Sequence, residues 1–375
     1  MLTDEEELIR STAADFSREV LQPGAAERDR NHAIEPEVLR QLAELGFLGM
    51  RTAEEWGGVG CSYVAYASAL MELAAGDGAV STLVSVHNSP VCSLLNAHAS
   101  DAQKEQFLRP LAEGRHIGAF ALTEADTGSD AAAIRTRATR DGSEYLINGS
   151  KMFITSGKIA GTVIIFAVTD PAAGKRGISA FVTSTDVPGF SISKVEDKLG
   201  QRASDTAALM FDNLRIPESQ RIGAEGAGLK IALSGLEAGR IGIAAQCVGM
   251  AQAAFDVALT YARERKSFGQ ALLEHQAVAF RLADAKTQIE AARQLVLHAA
   301  RLKDRGEPCL SEACMAKLFA SEMAEKVCSA AIQTLGGYGY ITDFPVERIY
   351  RDVRVCQIYE GTSDIQKIII ARGFA

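Results

Sequence analysis

The spacing of apolar residues predicts an α-helical region at the start of the chain. From residue 3 to about 114, apolar residues recur at short helical intervals, as in Leu39, Leu42, Leu45 and Leu48. Residues 65–75 and 82–97 are rich in Ala and Leu, which is typical of buried helices. Between Leu48 and residue 65, the glycine-rich stretch Glu55 to Gly60 carries the only tryptophan, and we interpret it as a turn between helices.

The pattern changes to short strands between about residues 116 and 222. Alternating or wholly apolar runs predict strands at 145–147, 152–154, 163–168, 178–182, 190–194 and 206–211. Asn148-Gly149, which lies between the first two, predicts a type I′ hairpin turn. Short strands divided by turn residues indicate a small antiparallel barrel or sandwich.

Helical periodicity returns at about residue 226 and continues to the end of the chain. Residues 248–262, 276–300 and 309–333 predict long helices joined by short connections, which is typical of a four-helix bundle. The predicted fold class is therefore α+β, with an all-α domain at 1–117, a β-barrel or β-sandwich domain at 118–225 and a helical bundle at 226–375.

Composition narrows the function classes. The 375 residues are 47% hydrophobic and 23% charged, as in ordinary globular proteins. The net charge of −8 argues against nucleic-acid binding, because phosphate neutralisation needs a basic face. The sequence contains no run of about 18 apolar residues, so no membrane-spanning helix is predicted. The acidic start, without an apolar core segment or an Arg-rich pattern, leads us to expect a bacterial cytoplasmic protein, with the mitochondrial matrix as the alternative.

Seven scattered cysteines include no CxxC pair, and we expect free, buried thiols. The absence of Cys-His spacing disfavours a thiol enzyme. No metal site is predicted.

The segment from Ile358 to Gln366 carries the most informative carboxylate. Glu360 stands between an aromatic residue and a glycine, ahead of a hydroxyl-rich turn and an apolar run. Apolar neighbours desolvate a carboxylate and make it a better proton acceptor. A solvated loop charge is the alternative when the segment is considered alone.

Five other segments offer ligand-binding chemistry, although each alone has a plainer interpretation as a polar loop or a helix terminus. They are 120–130, 151–156, 237–240, 261–269 and 333–339. The first combines hydroxyls, carboxylates and a glycine, and the second ends a strand in an aromatic and a hydroxyl. The fourth ends a helix in a basic cluster, which suits either the helix dipole or a pyrophosphate.

Taken together and in this order, these segments resemble the acyl-CoA dehydrogenase family, and the resemblance extends over essentially the whole chain, from Glu55 to Gln366. It implies helical, β and helical domains with FAD in the cleft between them. It implies that Glu360 is the catalytic base, and that Ser129, Glu237, Arg240 and Gly361 contact the substrate. It implies FAD contacts by Phe120, Leu122, Thr123, Gly128, Ser129, Phe153, Ile154, Thr155, Arg265, Phe268, Gln276, Gln333, Leu335, Gly336, Gly337, Thr362 and Asp364, some of them across a subunit interface.

The chain departs from the family pattern at several positions. Phe153 stands where the family usually has tryptophan, which keeps an apolar cover but loses an indole N–H. Ala125 replaces a common proline, and Asp364 replaces Glu or Gln. Some relatives carry their base at the position of Gly239, so Glu360 is the only candidate base here.

The resemblance implies α,β-dehydrogenation of an acyl-CoA, with the α proton taken by Glu360 and the β hydrogen transferred as hydride to flavin N5. It implies that a backbone N–H and the FAD ribityl hydroxyl stabilise the thioester oxygen, that electron-transferring flavoprotein is the electron acceptor, and that the protein is a homotetramer. Segments 198–204 and 237–246 look most like short-chain and short branched-chain members. The alternatives are a non-catalytic acyl-CoA-binding paralogue and a flavin oxidase relative that uses oxygen.

Overall fold

The computed structural model describes residues 2–374 and has the predicted order of helices, strands and helices. The N-terminal part, residues 2–117, contains helices joined by turns and no strand. Its helices are α1 (Asp4–Phe16), α2 (Gln22–Asn31), α3 (Pro36–Glu44), α4 (Tyr63–Gly76), α5 (Gly78–Val86), α6 (Ser93–His98), α7 (Asp101–Gln103) and α8 (Arg109–Ala112).

The predicted helices at 65–75 and 82–97 are confirmed, and local caps explain where they begin. The Ser62 hydroxyl accepts a hydrogen bond from the Ala65 N–H at the start of α4. The Asp77 carboxylate accepts from the N–H groups of Ala79 and Val80 at the start of α5. A π-helical turn at His87–Cys92 contains a proline and joins α5 to α6.

The central part is one eight-stranded sheet. Its strands are β1 (Gly118–Ala121), β2 (Arg137–Asp141), β3 (Glu144–Thr155), β4 (Thr162–Val168), β5 (Ile178–Ser184), β6 (Phe190–Val195), β7 (Thr206–Pro217) and β8 (Arg221–Ile222). The strand order is β6-β7-β3-β2-β4-β5-β8, and β1 pairs with β4. The pairings are antiparallel except those of β1 and β2 with β4.

Both faces of this sheet are covered. In β4, Val163 and Ile165 belong to a core on one face, and Ile164 and Phe166 belong to a core on the other. This alternation is the period-two pattern of a strand that is buried on both sides. The second core includes residues of α6 and α9, so the sheet packs directly on the helices.

The predicted hairpin turn at Asn148-Gly149 is wrong. β3 continues through these residues and pairs with β7, with an irregular register between Ile147 and Gly149. Gly149 has a φ of 146°, and a Cβ there would lie 2.7 Å from Oγ1 of Thr136. The glycine therefore serves a bulge and a close approach rather than a turn.

The C-terminal part contains three long helices and two short ones. They are α9 (Gly228–Glu264), α10 (Gln276–Asp304), α11 (Leu310–Leu335), α12 (Val346–Val353) and α13 (Ser363–Arg372), and the short strands β9 (Lys266–Ser267) and β10 (Gln270–Ala271) follow α9. The core of this part is continuous with that of the N-terminal helices. By length and composition α9 could cross a membrane, but 78% of its most apolar window is buried inside the protein, as in a core helix.

The cysteines and acidic side chains form no obvious inorganic site. All seven cysteines are free and buried. Between residues 2 and 374 no group of three or more His, Cys, Asp or Glu side chains could hold a metal ion.

Candidate active site

Glu360 lies in a tight turn between a 3₁₀ segment at Arg354–Gln357 and helix α13. Its φ is 55°, and that of Gly361 is 91°. Two successive residues with positive φ are uncommon, and a glutamate in this conformation is strained. Neighbouring contacts must therefore hold the turn.

The carboxylate of Glu360 points at helix α9. Its Oε2 is buried, and within residues 2–374 it has no hydrogen-bond partner. A Cβ built on Gly239 would lie 2.5 Å from Oε2 and 2.8 Å from the carboxyl carbon. Only glycine therefore leaves room for the carboxylate at this point of α9.

Burial dominates the electrostatics of this carboxylate. Loss of solvation raises the pKa of Glu360 to about 7, although Arg240 and Lys317 act in the opposite direction. Arg240 and Lys317 are themselves buried. A carboxylate with a pKa near neutrality can both accept and return a proton at physiological pH.

Two buried side chains hold the backbone of the turn. Lys317 of α11 donates a hydrogen bond from Nζ to the Gly361 carbonyl at 2.7 Å. Gln366 of α13 donates from Nε2 to the carbonyls of Glu360 at 3.2 Å and Gly361 at 2.8 Å. These bonds favour the left-handed conformation that aims the carboxylate at Gly239.

The preceding residue, Tyr359, connects the turn to both other parts of the chain. Its hydroxyl lies 3.4 Å from Oε1 of Gln246 on α9 and 3.4 Å from Nε2 of Gln201, after β6. Gln246 in turn donates to the hydroxyls of Ser81 and Thr82 on α5. The candidate base therefore sits where the helical parts and the sheet meet.

The predicted FAD-binding segment from Phe120 to Ser129 begins in the sheet and ends at the surface. Phe120 packs on Phe166 with ring centroids 4.9 Å apart, and Leu122 is buried. The Thr123 carbonyl accepts from the Met152 N–H at 2.9 Å. Gly128 and Ser129 are exposed, and a Cβ on Gly128 would meet nothing within 4 Å, so a ligand could approach there.

A buried ion pair between Lys151 and Glu124 anchors the first half of the segment from Phe120 to Ser129. The ammonium of Lys151, at 0% exposure, lies 2.8 Å from Oε1 of Glu124 and donates to the Leu122 carbonyl at 2.9 Å. The Glu124 carboxylate also accepts from the backbone N–H groups of Arg135 and Thr136. Sequence reasoning did not identify Lys151 as the residue that anchors the segment.

Near the end of β3, the aromatic ring of Phe153 is exposed to solvent. Phe153 is 59% exposed and has a φ of 58°, whereas the Ile154 side chain is buried in the sheet core. Thr155 lines a cavity of about 270 Å³ that is also lined by Ile358 and Tyr359, next to the candidate base. The strand end and the Glu360 turn thus border one cavity.

A second group of predicted FAD contacts lies at the other end of α11. Tyr261 of α9 packs near Tyr338, and Arg281 of α10 lies 3.4 Å from the hydroxyl of Thr334, so the helix ends converge there. The predicted residues of this group are Arg265, Phe268, Gln276, Gln333, Leu335, Gly336 and Gly337; all but the buried Leu335 are exposed. Arg265 borders a separate cavity of about 750 Å³.

The two groups are far apart within one chain. Lys317 and Gln333 are sixteen residues apart on α11, which at 1.5 Å per residue is about 24 Å. Phe268 is 97% exposed and has a φ of 52°, and Gly336 has a φ of 62°. The Phe268 ring and the Gly336 backbone are therefore exposed to solvent in one chain.

The predicted substrate contacts Glu237 and Arg240 lie on α9 beside Gly239. Oε1 of Glu237 accepts from Nζ of Lys303 at 2.5 Å and lies 3.6 Å from Sγ of Cys309. Arg240 is 5% exposed, and its Nε has no hydrogen-bond partner in the described part of the chain. Glu237 is therefore engaged within the protein, whereas Arg240 has an unused donor.

The start of α13 supplies further hydroxyls. The Thr362 hydroxyl caps the helix by accepting from the Ile365 N–H at 3.4 Å, and Asp364 is exposed in its first turn. Several buried hydroxyls have no partner in residues 2–374, and those of Ser363 and Thr127 are among them. Both lie in segments predicted to contact FAD, so the donors and acceptors present fit a large polar cofactor with an aromatic ring.

Lys317 and Tyr66 were also not predicted from the sequence as residues of the site. Lys317 lies on the buried face of α11 among small residues such as Ala313, Cys314 and Ala320, and a lone lysine at such a position is the signal that could have revealed it. Tyr66 of α4 is buried close enough to Glu360 for the carboxylate charge to help raise the pKa of its phenol, after the larger effect of burial.

Comparison with known proteins finds a matching family model for each of the N-terminal, central and C-terminal parts of the chain. Family models described as the N-terminal, middle and C-terminal domains of acyl-CoA dehydrogenase match residues 3–115, 119–214 and 226–375. The chain is 44% identical to the short-chain specific acyl-CoA dehydrogenase of Clostridium acetobutylicum, over 99% of this chain and 98% of that protein. It is 42% identical to the acryloyl-CoA reductase (NADH) of Anaerotignum propionicum, over 99% and 94%. Butyryl-CoA dehydrogenase from Megasphaera elsdenii has the same fold, with a TM-score of 0.98 and 41% identity, over 100% of this chain and 99% of that one.

Proposed function

This chain belongs to the acyl-CoA dehydrogenase family, and from that premise we propose that it dehydrogenates short-chain acyl-CoA thioesters with Glu360 as the base. It is a flavin-dependent oxidoreductase that uses FAD, and its substrates are acyl-CoA thioesters. The assignment of the base rests on the Glu360 carboxylate. Its buried Oε2 has no hydrogen-bond partner within residues 2–374, and it faces Gly239 of α9.

Dehydrogenation requires removal of the weakly acidic α proton of the acyl-CoA thioester. Glu360 accepts that proton, because its desolvated carboxylate has a pKa of about 7 and carries no direct ion pair at Oε2. FAD, when bound, accepts the β hydrogen as hydride. The backbone N–H of Glu360 donates to the thioester oxygen as negative charge develops there. Arg240 adds a buried positive charge on the same side.

Residues of two regions would hold the cofactor. Phe153 covers an aromatic face, while Thr155 and the segment from Phe120 to Ser129 supply hydroxyl and backbone groups beside the Glu360 turn. Thr362 and Asp364 contact the cofactor from the start of α13. Arg265, Phe268, Gln276 and the segment from Gln333 to Gly337 would bind the cofactor of a neighbouring subunit, as the family resemblance implies. Within this group, Gln333 lies about 24 Å along α11 from Lys317, which contacts the Glu360 turn. The exposed Phe268 and Gly336 are consistent with contact between subunits, and the proposed assembly is the homotetramer that the family resemblance implies.

We propose a four- or five-carbon acyl group, linear or 2-methyl-branched. Gly242 lies less than one turn beyond Gly239 on α9, and a Cβ there would lie 2.6 Å from Oγ of Ser85 and 3.1 Å from the Tyr66 hydroxyl. The space beyond the carboxylate is therefore already filled on this side. The 44% identity to a short-chain specific relative supports the same limit.

Electron-transferring flavoprotein is the proposed electron acceptor, an interaction typical of the family. We place the protein in the bacterial cytoplasm; its relatives include bacterial and mitochondrial proteins.

Reduction of an α,β-unsaturated acyl-CoA is a second candidate. It is favoured by the 42% identity to an acryloyl-CoA reductase and by a Glu360 pKa of about 7, which lets the same carboxyl group return a proton. Mixing the reduced enzyme with acryloyl-CoA or crotonyl-CoA and following flavin reoxidation without oxygen compares the two directions.

The first test is anaerobic titration of the purified yellow protein with butyryl-, 2-methylbutyryl- and octanoyl-CoA. We expect the two short substrates to bleach the oxidised flavin band faster than octanoyl-CoA. The Glu360→Gln variant should keep its flavin and still bind acyl-CoA, yet lose flavin reduction by about 10³-fold or more. Glu290→Gln, at an exposed glutamate of α10, is the matched control and should behave like the wild type. Full activity in Glu360→Gln would show that the base is elsewhere.

A further inference from the structure

Lys317 is a buried cation that the proposed chemistry does not yet use. It lies on α11 at 0% exposure, and its buried neighbours on the same face of the helix are Ala313, Cys314, Ala320 and Ser321. Burying a lysine is unfavourable unless its ammonium is bound, so a specific partner is required.

That partner is the backbone of the Glu360 turn. Nζ of Lys317 donates to the Gly361 carbonyl at 2.7 Å, and no other hydrogen bond of this ammonium is present among residues 2–374. The bonded carbonyl follows directly on the strained φ of 55° at Glu360. The contact therefore acts on the residue pair whose conformation aims the carboxylate.

The charges around Lys317 and Glu360 come from three helices and one 3₁₀ segment. Arg240 of α9 and Lys317 of α11 are the cations that influence Glu360, and Tyr66 of α4 is close enough to be influenced by the Glu360 charge. Burial lowers the pKa of the Lys317 ammonium and Arg240 acts in the same direction, whereas Cys247, Cys356 and Glu360 oppose them.

We propose that Lys317 is a positioning residue for Glu360: it fixes the left-handed turn through the Gly361 carbonyl and supplies positive charge close to the carboxylate. The inference rests on the proposed role of Glu360 as base. Gln366 shares the first task but not the second, because its amide donates to the same carbonyl without carrying charge.

This difference provides a matched pair of variants. Lys317→Met keeps the volume and apolar stem but removes donor and charge, and the Gly361 carbonyl retains the Gln366 bond. Gln366→Met removes only the neutral donor. Both should lower the maximal rate of flavin bleaching by butyryl-CoA by about tenfold, the scale of one strong hydrogen bond.

Only Lys317→Met should displace the pH profile. Loss of a nearby cation disfavours the ionised form of Glu360, so the pH at which the bleaching rate is half-maximal should move upward by about one unit, while that of Gln366→Met stays at the wild-type value. The same upward displacement should appear without turnover, as the pH at which the Glu360 carboxyl band, identified by its loss in Glu360→Gln, disappears from the infrared spectrum of the holoenzyme.

The outcomes separate this inference from the proposed function. A wild-type protein that no acyl-CoA bleaches would overturn the proposed function, and the inference with it. A wild type that bleaches, together with Lys317→Met of unchanged rate and unchanged carboxyl titration, would overturn the positioning role alone. If Lys317→Met does not fold, Lys317→Gln keeps a donor without charge, and its carboxyl titration must then move upward for the inference to stand.

Discussion

Adding one methyl group opposite the candidate base should disable the enzyme without unfolding it. In Gly239→Ala the new Cβ would lie 2.5 Å from Oε2, 2.8 Å from Cδ and 3.0 Å from Oε1 of Glu360. Ordinary contact begins at 3.4 Å, so the carboxylate must retreat by about 0.9 Å. A displacement of about 1 Å in a reacting group lowers the rate by about 10²-fold.

The effect on stability should be small because the clash falls on the end of a flexible side chain. Alanine is favoured over glycine inside a helix by about 1 kcal/mol, and this gain offsets part of the strain. We therefore expect the free energy of unfolding to change by less than about 1 kcal/mol. Rapid-mixing measurement of flavin bleaching by butyryl-CoA, together with denaturant unfolding, gives both quantities for one preparation.

Gly235→Ala is the matched control on the same helix. Its Cβ would lie 3.6 Å from the nearest atoms of Pro90 and 3.7 Å from Leu94, which is ordinary contact, so the variant should retain the wild-type rate and gain stability. In a Glu360→Ala background the clash is gone, and Gly239→Ala should then stabilise the fold as Gly235→Ala does. Wild-type bleaching by Gly239→Ala would refute the placement of the carboxylate against α9.

Two further predictions concern chain length and pH. Tyr66→Leu should raise the rate with octanoyl-CoA relative to butyryl-CoA by about tenfold, since it empties space beside Gly242; an unchanged ratio in parallel assays would place the end of the acyl pocket elsewhere. Burial raises the pKa of Asp352 to about 7, so the folded protein retains a proton that the unfolded chain releases near pH 4, and stability falls as pH rises between these values. Asp352→Asn, which keeps the acceptor for the Gln201 N–H, should be more stable than the wild type by about 2–4 kcal/mol at pH 8 and nearly equal at pH 4; equal unfolding curves at pH 8 would contradict this account.

The long elements were predictable because burial on one face imprints a period on the sequence. α9, α10 and α11 follow the helical repeat, and β4 and β5 are apolar runs of strand length. The error at Asn148-Gly149 has a different origin. A two-residue turn signal is local, whereas the structure at this point is set by Thr136, which lies thirteen residues before Gly149 in the chain and packs on it.

The site was predictable only where its chemistry is contiguous. The turn from Tyr359 to Asp364 stands out as one short segment, and the family resemblance identifies its carboxylate. The family resemblance had already connected the position of Gly239 with the base. Lys317 and Tyr66 come from two other helices, and their proximity to Glu360 follows from packing alone. A helical repeat marks Lys317 as lying on a buried face, but it does not reveal which carbonyl the ammonium binds.

The arrangement of the cations explains how one carboxylate remains both ionisable and reactive. A direct ion pair with Lys317 would lower the pKa of Glu360 and weaken it as a base. Instead the ammonium bonds to the Gly361 carbonyl, and within residues 2–374 Oε2 is left without a partner. Positive charge then acts only through space and desolvation predominates, which gives a pKa of about 7. Because the Lys317 ammonium is bound to the Gly361 carbonyl, it can stabilise the turn that carries the candidate base without forming an ion pair with the Glu360 carboxylate.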